Sequence, residues 1–405
     1  MSSDHLPEGW TVAKISDITI KGEQRKPSSE ETFTYVDIGS IDRDRKCISS
    51  PQYLAGNNAP SRARKVIKTG DVLVSLTRPN LNAVALVPDE LDNQIASTGF
   101  EVVKPLSVDS RFVFALTKSK DFIDSISGVV QGALYPAAKS SDVQAYTFQL
   151  PALAEQKVIA DKLDTLLAQV ETTKARLELI PEILKTFRQS VLAAAVSGKL
   201  NAGDYQQAPV YKALGDVGVE VKTGPFGSAL HKSEYISGGI PVINPMHISN
   251  GTIVASQQMT IPKAKYDELE AWHLKIGDVV VGRRGEMGRA AVVNYKGEML
   301  CGTGSMILRT PKNSLPKYLE IILRSPLAVE YFTSNSVGST MVNLNQKIIK
   351  SLQVHFPSQE EQTEIVRRVE KLFAYADKVE AQVKTAQARV NQLTQSILAK
   401  AFRGE

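Results

Sequence analysis

Cysteine is scarce in this 405-residue chain: Cys47 and Cys301 are the two present, far apart and outside any Cys-x-x-Cys pair. That excludes a disulfide framework and makes a reducing, cytoplasmic setting the expectation. No apolar run approaches the ~20 residues of a membrane span, so no membrane partner is expected. The opening residues, MSSDHLPEGW, carry neither a basic nor an apolar leader region, and no secretory signal is read there. The histidines (His5, His231, His247, His273, His355) form no HxxxH or HExxH pair, and no Cys/His cluster has zinc spacing, so no metal site is expected. Charge of one sign is lacking too: 48 Lys+Arg against 43 Asp+Glu is compatible with nucleic acid without demanding it. Residues 201–356 hold 16 basic and 12 acidic side chains and residues 1–150 hold 17 and 18, so the excess sits in the second half. The first half carries only local clusters, Arg43-Arg45-Lys46 and Arg62-Arg64-Lys65-Lys68.

Catalytic patterns are equally thin. Gly224-Pro-Phe-Gly-Ser228 lacks the Lys-Ser/Thr of a P-loop and reads as a tight turn. The glycine-rich run from Gly282 to Gly288 follows a strand but precedes another, near Ala290 to Asn294, so a dinucleotide fingerprint is not met. Asn244-Pro245-Met246-His247 lacks the second proline and the aromatic of the Asn-Pro-Pro-Tyr loop with which amino-methyltransferases hold a base. Asp204 with Glu220 and Lys222 loosely matches the carboxylates and lysine of a metal-dependent nuclease. An ordinary alternating strand explains Glu220-Val-Lys222 better, but a self-contained nuclease stays as one alternative. No catalytic residue is assigned, and the chain reads as a non-catalytic component.

What is present is a duplication. A stretch beginning at Pro151 and another at Pro357 match without a gap through Gly198 and Gly404. Identical pairs include Glu155/Glu361, Gln156/Gln362, Ile159/Ile365, Leu166/Leu372 and Ser190/Ser396. Each copy carries a heptad. Its seam runs through Ile159, Leu163, Leu166, Val170 and Leu177 in the first, and Ile365, Val369, Leu372, Val379 and Val383 in the second. Alternating steps of four and three keep one apolar stripe on one side of a helix, ready for a second helix alongside. Pro181 interrupts the first copy and predicts a kink or short break, with the seam resuming at Leu184. The flanking globular segments repeat as well: Lys68-Thr-Gly-Asp-Val-Leu-Val matches Lys275-Ile-Gly-Asp-Val-Val-Val, Thr98-Gly99 matches Thr303-Gly304, and Ser119 matches Ser325. Both read as short strands punctuated by Gly and Pro, with a few helices.

The expected fold is therefore α+β, with two pseudo-symmetric globular domains and two long α-helices packed as an antiparallel coiled coil. Expected segments are 1–150 (globular), 151–198 (long helix), 199–356 (linker and second globular domain) and 357–405 (long helix). The matched strand ends carry base-reading chemistry. Arg78 and Asn80 follow the first strand, and Arg283, Arg284 and Arg289 follow the second. Arginine reads guanine bidentately, and asparagine reads adenine. Thr98 and Thr303 suit phosphate contacts. Tyr135, Asn343 and Asn345 lie on the loop before the strand leading into each long helix. These ten residues are the candidate DNA-binding set.

The order of domains resembles the specificity subunit of type I restriction–modification enzymes. So do LPEGW at Leu6–Trp10, the segment Leu153–Leu200, and GPFGSAL at Gly224–Leu230. The resemblance covers nearly the whole chain and is strongest in Leu153–Leu200. It implies two target recognition domains, each reading one half of a bipartite site on double-stranded DNA. It also implies that the helix pair sets the spacer and docks two modification (methyltransferase) subunits and the restriction/translocase subunits. S-adenosylmethionine, ATP and Mg2+ then belong to those partners, with no cofactor in this chain. The second helix runs out at Glu405, where a C-terminal tail would be missing. The remaining alternative is a coiled-coil scaffold without DNA binding.

Overall fold

The computed structural model describes residues 6–128, 137–201, 210–336 and 343–405. It divides into two units, residues 1–178 with 384–405, and residues 179–383. Each unit therefore takes one globular segment and a part of each long helix.

Both globular segments are built to one plan. In the first unit the central antiparallel sheet has the order Phe100–Val103, Val72–Ser75, Val84–Leu86. In the second the same order appears as Ser305–Arg309, Val279–Gly282, Ala290–Val292, extended at one edge by Glu220–Thr223. The middle strand of each is buried on both faces, which is why it reads as an unbroken apolar run. Val72 and Val74 face the helices around Phe112 and Phe122, while Leu73 faces a second core with Phe100 and Val102. In the second unit Val279 and Val281 face the helical core and Val280 the other side. A second sheet in each unit contains a parallel pair: Thr32–Val36 beside Gln94–Ser97, and Ile240–Ile243 beside Leu300–Cys301. A short hairpin follows in each, Ile41–Asp42 with Cys47–Ile48, and Ile248–Ser249 with Thr252–Ile253.

The matched Lys-x-Gly-Asp motifs are one buried device used twice. Gly70 and Gly277 adopt left-handed φ values of 82° and 87°. That turn lets the aspartate carboxylate accept from the lysine's own backbone N–H, at 2.8 Å in Asp71 and 2.9 Å in Asp278. Each aspartate also pairs with a cation from the neighbouring strand, Asp71 with Lys104 and Asp278 with Arg309.

The repeated glutamines at the long-helix starts have one job as well. Gln156 accepts from Asp109 N–H at 2.9 Å and donates to Pro151 O at 2.8 Å. Gln362 accepts from Leu315 N–H and donates to Pro357 O, both at 2.9 Å. Both side chains are buried, so each ties a long helix to the helix that opens beside it, Ser110–Thr117 or Pro316–Arg324. Ser119 and Ser325 cap the next helix in the two units, accepting from Phe122 and Ala328 N–H.

The long helices span Leu153–Val196 and Gln359–Ala401. Inside the first unit Leu163 packs with Leu398, and Leu177 meets Gln387. Inside the second, Leu192 and Val196 share a core with Ile365 and Val369, and Arg188 meets Asp377 at 2.7 Å. In each unit one helix ascends in number as the other descends, which is antiparallel packing. Of the predicted seam, Leu163, Val170, Ile365, Val369 and Val383 are buried. Ile159, Leu166, Leu177, Leu372 and Val379 are half-buried. Of the kink or short break expected at Pro181, the break does not occur: helix continues through it. The carbonyl that proline leaves without its usual helical donor belongs to Leu177, and the Gln387 carboxamide donates to it at 3.5 Å.

Candidate nucleic-acid interface

Each unit gathers its candidate residues where the buried middle strand ends. In the first unit Leu76 N–H donates to Gly99 O (2.9 Å), and Leu76 O accepts from Ala138 N–H (2.8 Å). In the second, Arg283 N–H donates to Gly304 O (3.0 Å), and Arg283 O accepts from Leu344 N–H (2.8 Å). The next residues form isolated bridges, Thr77 with Ala137 and Arg284 with Asn343. Three segments therefore converge in each unit: the strand end, the Thr-Gly turn, and the stretch before the final short helix. Thr98 and Thr303 hold equivalent places, exposed and half-buried respectively. Tyr135 lies outside the described residues, as does Asp204. Glu220 and Lys222 lie on a short strand, exposed and half-buried either side of the buried Val221, with Glu220 opposite Arg309.

The loops after the strand differ in sequence and agree in backbone. In the second unit Gly285 and Gly288 take left-handed φ values of 78° and 82°. At the equivalent places in the first unit stand Arg78 (φ 50°) and Asn82 (φ 46°). A left-handed conformation costs a non-glycine residue about 1–2 kcal/mol, and such residues concentrate where function requires them. Arg78 and Asn80 are exposed at this loop.

In the second unit the charged side chains are braced. Arg283 Nε donates to Asn343 Oδ1 at 2.9 Å, and burial, with Arg284 beside it, lowers its pKa. Arg289 is held by Glu286 at 2.7 Å and by Pro245 O at 3.2 Å. Asn345 caps the short helix Gln346–Lys350, accepting from Ile348 N–H at 2.9 Å. Arg284 is exposed. The Asn244–His247 segment is a structural turn: Asn244 N–H donates to His247 Nδ1 at 3.1 Å, and Asn244 Oδ1 accepts from Gly304 N–H at 3.2 Å. A Cβ at Gly302 would come within 2.3 Å of the Asn244 carboxamide. In the first unit the corresponding turn is closed within itself, Asp37 accepting from Ser40 N–H at 2.9 Å, while Gly99 N–H donates to Ser97 Oγ at 3.1 Å.

Two side chains at this end were not singled out by sequence reasoning. Met246, on the Asn244 turn, and Phe226, on the loop that begins beside Ser305, are 69% and 68% exposed. The available signal was an apolar residue inside a loop flanked by glycine or proline, where packing does not explain it. Exposed arginines beside exposed apolar side chains suit a surface that meets phosphates and base edges together.

Comparison with known proteins agrees with this geometry. A family model described as the type I restriction modification DNA specificity domain matches twice, over residues 7–182 and 210–386. The chain is 34% identical over 425 residues to the type I restriction enzyme EcoKI specificity subunit of Escherichia coli (strain K12), covering 100% of this chain and 91% of that one. It is 32% identical over 427 residues to the StySPI specificity subunit of Salmonella potsdam, with the same coverage. Among solved structures it is similar to the HsdS subunit from Thermoanaerobacter tengcongensis, with TM-score 0.71 and 27% identity over 98% of each chain. With the fold duplicated, the two loop ends equivalent and the family model matched in both halves, the chain belongs to the specificity subunits of type I restriction–modification systems.

Proposed function

We propose that each unit reads one half of a bipartite double-stranded DNA target through the loop end described above. Arg78, Asn80 and Thr98 serve the first half-site, and Arg283, Arg284, Arg289 and Thr303 the second. Asn343 orients Arg283, and Asn345 sets the helix behind it. The observation carrying this reading is one backbone frame presenting different side chains at equivalent places: Arg78 where the other unit has Gly285, and Thr77 where it has Arg284. Such a pair gives two different readers on one scaffold.

The catalytic work belongs to partners: modification subunits that bind S-adenosylmethionine, and restriction/translocase subunits that use ATP and Mg2+. The long helices support docking, since Val158, Ile183 and Tyr375 are 64%, 61% and 65% exposed. A cytoplasmic setting follows from the DNA they act on. Mapping methylated adenines in cells carrying the system tests the assignment. Arg78→Ala is expected to relax one half of the recovered sequence, and Arg284→Ala the other. Relaxation of the same half by both would overturn it.

A further inference from the structure

Within the first unit a cleft of about 790 Å³ opens between the hairpin turn at Asp42–Cys47 and the helix segments carrying Lys174 and Gln395. Arg43, Arg45, Lys46, Lys118 and Lys174 line it, and Asp44, Glu171 and Glu178 are the acids among them. Glu171 is taken by Lys174 at 2.8 Å. Arg43 and Arg45 are exposed, and among the described residues neither makes an ion pair. Lys46 and Lys118 are half-buried, and burial lowers the pKa of both, Lys118 to about 8, against the pull of Asp44 and Asp42 on Lys46 and of Asp164 on Lys118.

The hairpin is fastened to the reading loop. Lys46, itself left-handed at φ 55°, donates from Nζ to Asn82 O at 2.6 Å, and Asn82 closes the loop that begins at Arg78. Lys46, on the lining of the cleft, is therefore fastened to the loop that carries Arg78 and Asn80. In the second unit the hairpin tip, Asn250-Gly251, instead lies against Glu320 and Arg324, which pair with each other.

We infer that this cleft holds the phosphodiester backbone of the DNA beside the first half-site, with Arg43 and Arg45 as backbone contacts. The inference rests on the DNA-reading assignment above and extends it to a sequence-independent contact made by the first unit. Phosphate contacts fix position and carry no base information, and each contributes about 0.9 to the slope of log K against log salt.

The test uses the full chain assembled with its modification subunits and measures DNA affinity from low to physiological salt. In Arg43→Ala/Arg45→Ala the slope is expected to fall by about one to two, equally on matched and mismatched DNA, with the methylated sequence unchanged. Lys14→Ala/Lys157→Ala, which removes the same charge elsewhere, is expected to leave the slope alone. An unchanged slope in a variant that still binds its target specifically would overturn this inference and leave the half-site assignment standing. A changed methylated sequence would also overturn it, because the arginines would then be reading bases. Absence of specific binding by the unsubstituted complex would overturn both assignments.

Discussion

The Gln387 carboxamide donates to the backbone carbonyl of Leu177 across the helix pair of the first unit, at 3.5 Å. Leu177 O is the acceptor that Pro181, four residues on, leaves without a donor. The second helix thus supplies from its side chain what the first lacks in its backbone, and the helix runs on unbroken. Pro181→Ala restores the backbone bond, and it is expected to raise stability by about 1–3 kcal/mol. Gln387→Ala is expected to cost about 0.5–1.5 kcal/mol in the natural sequence and close to nothing beside Pro181→Ala. A double-mutant cycle by chemical denaturation reads the coupling directly. Equal cost of Gln387→Ala in both backgrounds would show that the contact does not compensate for the proline.

The buried carboxylates Asp71 and Asp278, each paired with one cation, predict a matched effect in the two units. The side chains of Lys104 and Asp71 are 7% and 8% exposed, whereas Arg309 beside Asp278 is 37% exposed. Burial raises the Asp71 pKa against the pull of Lys104. Removing one partner of a buried pair leaves an uncompensated charge and costs about 3–5 kcal/mol. Lys104→Met is expected to fall in that range. Arg309→Met leaves Asp278, itself only 5% exposed, equally without its cation and is expected to fall in the same range, because the buried charge left behind sets the cost. Urea unfolding followed separately in the two units compares them.

Much of this architecture was legible from the duplication. The heptads announced two helices, and the matched Lys-x-Gly-Asp and Thr-Gly motifs announced equivalent turns, because left-handed turns and buried carboxylates demand particular residue types. Gln156 and Gln362 were visible only as identical letters. Their partners, Asp109 and Leu315 N–H, lie 47 residues away in each repeat, beyond any local pattern. The equivalence of Arg78 with Gly285 was hidden because loops of different length and composition share a backbone path that sequence alignment does not weigh. The division of labour at Arg283 and Asn343 was hidden for the same reason: their hydrogen bond spans 60 residues.

His247 predicts a pH effect confined to the second unit. Burial lowers its pKa from the usual 6.5, and its Nδ1 accepts from Asn244 N–H. Protonation would place a second N–H against that donor. Because the folded-state value is depressed, the unfolded chain binds the extra proton first as pH falls. The stabilisation is therefore complete above 6.5 and is lost as pH falls through the lowered value. The denaturation midpoint of the second unit is expected to drop as pH falls below 6.5, and His247→Gln is expected to flatten that dependence. A steeper drop in the variant would assign the effect to another group.

Arg78 gives the sharpest separation of structure from function. Its left-handed backbone, φ 50°, is strained for any residue but glycine, and the other unit places Gly285 there at 78°. Arg78→Gly relieves strain of about 1–2 kcal/mol and adds unfolded-state freedom worth about 0.5–1 kcal/mol. The backbone's contribution to stability is expected to be unchanged or slightly raised. If Arg78 contacts a base, the same substitution removes about 1–3 kcal/mol of discrimination at one position of the first half-site, a loss of roughly 5- to 150-fold in affinity. The reciprocal change, Gly285→Ala, has open space for its Cβ and pays only the backbone strain, about 1–2 kcal/mol, with the first half-site unaffected. Thermal unfolding alongside binding to DNA carrying single-base changes distinguishes the two effects. A residue kept for structure alone would lose stability in Arg78→Gly and leave binding intact, the opposite of both expectations.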